Sequence, residues 1–180
     1  MDDSQLERYV REVAHQAALA EISADLLRES ADLEGVVDIP RCFHAAQGLL
    51  TTGAQLSKLF WADTQNEWPR ERKDFAYDRA SSLRAVFKPA EVLKRRAVRN
   101  AVEHYDARLD EAMIQGPQDM IDISIIAEGA LGQSGAFLRV IDPDTLAYRS
   151  LDDSVSLPDL YSAIRAAGDA AARWLDDWRY

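Results

Sequence analysis

Leu6, Val10, Val13, Ala17 and Ala20 recur at intervals of three and four residues, and no other pattern restricts the fold of this chain as much. At about 100° per residue they share one face of a helix, whereas a strand would scatter them over both of its faces. The spacing predicts a long amphipathic helix from about Ser4 to Ser30. Such a helix must lay its stripe against other elements with matching faces.

Prolines mark where those elements begin and end. Asp38 stands two residues before Pro40, a cap followed by a first-turn proline. A second helix is expected there, carrying Phe43, Leu49, Leu50, Leu56, Leu59, Phe60 and Trp61. Gly48 and Gly53 within it mark either close helix contacts or a kink. After a polar connector from Asp63, a third helix begins near Pro69 and ends before Lys88-Pro89, because the residue preceding a proline is biased away from helical geometry. Pro89 opens a fourth helix reaching about Met113, and Gly116-Pro117 closes that region.

A short helical or irregular stretch follows, up to Gly135. Its Gly129, Gly132 and Gly135 lack the lysine and the strand–helix order of a phosphate-cradling loop. Phe137 to Ile141 then reads as a strand, Asp142-Pro143-Asp144-Thr145 as a turn, and Leu146 to Arg149 as the returning strand. Leu157-Pro158 begins the last helix, with Leu160, Ile164, Ala167, Ala171, Trp174 and Leu175 on its apolar side. Trp178 and Tyr180 are available to a dimer contact. The expected fold is mainly α: one domain over residues 1–180, a helical bundle with a short β-hairpin before its last helix.

Net charge narrows the function. The chain carries -10, the wrong sign for a protein that coats duplex DNA through its phosphates. Cys42 is the one cysteine, so no intrachain disulfide forms, and it is expected as a buried thiol. The start, Met1-Asp2-Asp3-Ser4, lacks the positive flank and apolar run of a signal peptide, and no run approaches a membrane span. A cytoplasmic protein with no membrane partner is expected.

Against that acidity, the residues from Ser81 to Arg108 hold seven basic side chains (Arg84, Lys88, Lys94, Arg95, Arg96, Arg99 and Arg108) and only Glu91, Glu103 and Asp106 as acids, a net +4. On the expected fourth helix, Val98, Val102, Tyr105 and Leu109 form the core stripe. Arg96, Arg99, Asn100, Glu103 and His104 fall on the opposite half. Asn100 and His104 are four apart and within reach of each other. Arginine holds a phosphate or its developing charge, and histidine exchanges a proton near neutrality. Those residue types suit phosphodiester chemistry. His104 and Asp106 point about 200° apart on a helix, so the two cannot direct themselves at one metal ion.

Arg99-Asn100-Ala101-Val102-Glu103-His104 resembles the Arg-x4-6-His motif of the HEPN superfamily, including its polar residue after the arginine. Arg8 and His15 have a similar spacing, but Tyr9 follows the arginine. The resemblance implies a homodimeric, metal-independent endoribonuclease of the toxin–antitoxin or phage-defence type, with no cofactor. It implies catalytic roles for Arg99 and His104, support from Asn100, and an antitoxin-type protein partner; the basic Lys94, Arg95 and Arg96 just upstream are the expected RNA contacts. Asp106 stands where toxins silenced by a nucleotidyltransferase carry the tyrosine of His-x-Tyr, so that form of control is not implied. The alternative is a non-catalytic helical interaction module whose Arg99 face binds a protein or meets solvent, and the acidic net charge favours it.

Overall fold

The structure is a computed structural model that describes residues 1–31, 37–95, 104–114, 120–127, 136–151 and 153–178. Its described helices are α1 (Asp3–Ala31), α2 (Ile39–Phe60), α3 (Arg70–Phe87), α4 (Tyr105–Ile114) and α5 (Leu157–Trp178), with a 3-10 turn at Glu91–Lys94. The mainly helical architecture with a small sheet before the last helix is the one the sequence predicts.

The stripe on α1 does what its spacing requires. Val10, Val13 and Ala20 are fully buried, and α1 packs along both α2 and α5. Those three helices enclose the core, built around Leu49, Leu50, Leu56, Leu160 and Ile164. The Asp38 carboxylate accepts the Arg41 N–H and Pro40 lies in the first turn, so α2 begins as its sequence predicts. Gly48 and Gly53 are close-contact positions: a Cβ on Gly48 would collide with the Ser23 side chain, and one on Gly53 would come within 2.8 Å of Leu160. Cys42 is buried.

The segment expected as one helix from Pro89 to Met113 is not one. Lys88 ends α3 in the left-handed region at φ 46°, and Ala90 is extended. The 3-10 turn that follows drives Leu93 into the core against α2 and α5, and Arg95 leaves it in extended geometry at φ -62°, ψ 120°. Burying a leucine is worth about 1.5–3 kcal/mol. That outweighs the few tenths per residue by which helix propensity favours continuing. Among the described residues that follow, Tyr105–Ile114 is helical, with His104 in the turn ahead of it.

The strands are short: β1 (Met120–Ile121), β2 (Ser124–Ile125), β3 (Ala136–Phe137), β4 (Val140–Ile141), β5 (Ala147–Ser150) and β6 (Asp153–Ser156). The predicted hairpin is β4–β5. Its turn is closed by Asp142, whose Oδ1 accepts the N–H groups of Asp144 and Thr145. The sheet extends further than the hairpin, in the order β2-β4-β5-β6. β1 pairs with β3 and β2 with β4, both parallel and in one register, so residues 120–125 run beside 136–141. Tyr148 of β5 points into the core and meets Phe43 edge-on at 6.3 Å.

Candidate functional site

Of the basic segment, the structure describes the 3-10 turn with Arg95 and, from His104, the N-terminal end of α4. Lys94 is exposed and 3.6 Å from Glu91, an i,i+3 pair on the surface. Arg95 is exposed at the exit of the turn. Arg96, Arg99 and Asn100 lie outside the described residues, and so does the pairing of Arg99 with His104. His104 is exposed and immediately precedes α4. Asp106, also exposed, occupies the first turn of that helix, where a carboxylate suits the helix dipole.

Next to His104 the fold assembles a group that the sequence alone does not bring together. Arg139 donates two bonds to Asp122, Nε to Oδ1 at 2.8 Å and Nη2 to Oδ2 at 2.5 Å. The Tyr105 hydroxyl donates to Asp122 Oδ2 at 3.1 Å, and the Ile123 N–H reaches Oδ1 at 3.0 Å. The guanidinium carbon of Arg139 lies 4.1 Å from the centre of the Tyr105 ring.

Strand register makes this possible. Residues 120–125 lie beside 136–141, which places Asp122 diagonally across from Arg139 on neighbouring backbone. Between β1 and β2 the backbone passes through Ile123 at φ 48°, a left-handed conformation that costs a β-branched residue energy.

Electrostatics follow from the contacts. The paired hydrogen bonds from Arg139 hold the Asp122 carboxyl below its ordinary value, against the opposing effect of partial burial. Burial pushes the Tyr105 phenol up, and its bond to Asp122 adds to that. Arg139 is held above its already high value by Asp122. All three groups therefore keep the charge states that bind one another across the neutral range.

The sequence pattern puts Tyr105 on the core stripe, and the structure differs. The residue is half-buried, and its hydroxyl serves a polar cluster. Asp122 and Arg139 were missed; the available signal was a charged residue inside the apolar run Phe137-Leu138-Arg139-Val140-Ile141. Elsewhere, a cavity of about 340 Å³ between α1, α2 and α5 is walled by Leu27, Leu49, Leu146 and Leu157, with Arg28 and Tyr161 among its lining. At the end of α5, Trp174 and Trp178 stack at 5.0 Å, with Trp178 43% exposed. Among the described residues no helix is long and apolar enough to cross a membrane. No protein-family model, curated protein or solved structure matches this chain.

Proposed function

We propose that the chain is a HEPN-like, metal-independent endoribonuclease of the toxin or defence type, acting through Arg99 and His104 at a cleft shared by two copies. One observation carries the reading: the run from Arg99 to His104 sits in a segment of net +4 within a chain of net -10. The exposed position of His104 supports it, since a polymeric substrate needs an open approach, as do the exposed Lys94 and Arg95 upstream.

In this reaction His104 takes the proton of a ribose 2′-hydroxyl, and that oxygen attacks the adjacent phosphorus. The bond to the 5′-oxygen breaks, and the leaving oxygen takes its proton from solvent. The products are a 2′,3′-cyclic phosphate and a 5′-hydroxyl end. Arg99 holds the charge that accumulates on the phosphate oxygens, where a fixed donor contributes most. Asn100 supports the pair, and Lys94, Arg95 and Arg96 bind flanking phosphates.

The test is cleavage of single-stranded RNA in EDTA, with 2′,3′-cyclic ends as the product signature. Arg99→Ala and His104→Ala are each expected to abolish it with an unchanged circular-dichroism spectrum, and to remove any toxicity on expression. Identical behaviour of the wild type and both variants would end the nuclease reading.

A second reading is a non-catalytic module whose Arg99 face binds a protein partner. The net charge of -10 and the exposed Asp106 favour it, because both repel RNA. It predicts intact RNA with all three proteins.

A further inference from the structure

We infer that Asp122 is the positioning residue of the His104 site: with Arg139 and Tyr105 it clamps the first turn of α4 to the strands and so fixes the direction of the neighbouring histidine. Its catalytic consequence rests on the nuclease reading above, whereas its physical part does not.

Tyr105 is the first residue of α4 and one peptide bond from His104. Its ring is held at two places, on its face by the Arg139 guanidinium at 4.1 Å and at its tip by Asp122 at 3.1 Å. Rotating either side-chain torsion breaks one of these contacts, so the Tyr105 Cα is fixed relative to residues 122 and 139. The constraint passes through the backbone to His104, which is itself exposed in a turn. An exposed turn residue ordinarily samples several backbone orientations; the anchored Tyr105 restricts that sampling at the peptide bond the two residues share.

Asp122 is the hub of the arrangement. Four donors converge on its two oxygens: Arg139 twice, the Tyr105 hydroxyl and the Ile123 N–H. Its side chain is 31% exposed and that of Arg139 21%, so water competes less with this pair than with ion pairs on an open helix face. Asp122 acts on the reaction through Tyr105, which makes it a positioning residue rather than a catalytic one.

Asp122→Asn keeps the volume and removes the charge. NMR relaxation of the His104 and Tyr105 amides is expected to show order parameters falling from about 0.85 to below about 0.6. On single-stranded RNA, kcat is expected to fall about 10- to 100-fold, the usual result of misplacing a reacting group by an ångström. KM should change by less than about twofold, because phosphate binding is untouched. Tyr105→Phe, which removes only the hydroxyl bond, should lower both readouts less, and it decides the matter if Asp122→Asn does not fold. Asp122→Glu should restore part of the loss.

Unchanged order parameters in the folded variants overturn the inference, as does wild-type kcat in a variant when His104→Ala is dead. Should the wild type cut no RNA, the nuclease reading fails and the order parameters alone decide the clamp.

Discussion

Leu160 of α5 fills the space that a side chain at position 53 of α2 would need: a Cβ on Gly53 would lie 2.8 Å from its Cδ1 and 3.3 Å from its Cδ2. Two effects of Gly53→Ala therefore oppose each other. Removing a glycine from a helix interior gains about 0.5–1 kcal/mol. Forcing a methyl group into a packed leucine costs about 1–3 kcal/mol. The clash wins, and the single variant is expected to be less stable. In a Leu160→Ala background the methyl has room, and the same substitution should become stabilising. A denaturant double-mutant cycle measures that change of sign; a Gly53→Ala variant that is more stable than wild type would show that the two helices are not this close.

The end of α2 is capped from a neighbouring helix. Its last carbonyls have no helical partner. Two arginines of α3 supply donors, Arg84 Nη1 to the Phe60 carbonyl at 2.6 Å and Arg79 Nη2 to that of Lys58 at 2.8 Å. Arg84→Met keeps the aliphatic stem and removes the donor. The expected cost is about 1–2 kcal/mol, read as a lower urea midpoint at constant slope. A loss under about 0.5 kcal/mol would mean that water replaces the guanidinium.

How far the sequence reaches depends on the distance over which each interaction is decided. Asp38 caps α2 through a residue three places on, and the α1 stripe repeats within one turn, so both are legible locally. The failure near Pro89 has a tertiary cause. Leu93 fits a helical pattern, but the pull of the core between α2 and α5 sets the 3-10 turn that buries it. Asp122 and Arg139 lie between two-residue strands too short to show alternation, and the parallel register of those strands sets them together across seventeen positions. Arg99, Asn100 and His104 were legible as a motif and a charge reversal. What they do together is the proposal above.

Ile123 holds a left-handed backbone at φ 48° that a β-branched residue enters at a cost of about 1–3 kcal/mol. The side chain is 42% exposed, so its removal loses little packing. Asn tolerates this conformation and, unlike glycine, adds little entropy to the unfolded chain. Ile123→Asn is expected to raise stability by about 0.5–1 kcal/mol, seen as a higher melting temperature. The N–H bond to Asp122 Oδ1 does not depend on the side chain and should persist. A lower melting temperature would mean that the isoleucine packs more tightly than its exposure implies.

The Asp122 cluster also sets a pH window for stability. The Asp122 carboxyl is depressed on folding, chiefly by its bonds from Arg139. A depressed carboxyl contributes fully above its unfolded value, near 4, and the contribution is lost as pH falls through the folded value. Tyr105 is raised, first by burial and then by Asp122. A raised phenol contributes fully below its unfolded value, near 10, and the contribution is lost as pH rises through the folded one. The stability difference between wild type and Asp122→Asn should therefore be flat from about pH 5 to 9 and shrink on both sides. The acid limb reports the carboxylate–guanidinium pair. The alkaline limb reports the part of the Tyr105 shift that Asp122 causes. Urea unfolding at a series of pH values measures both, and a difference that persists unchanged down to pH about 2 would mean that Asp122 and Arg139 do not pair in solution.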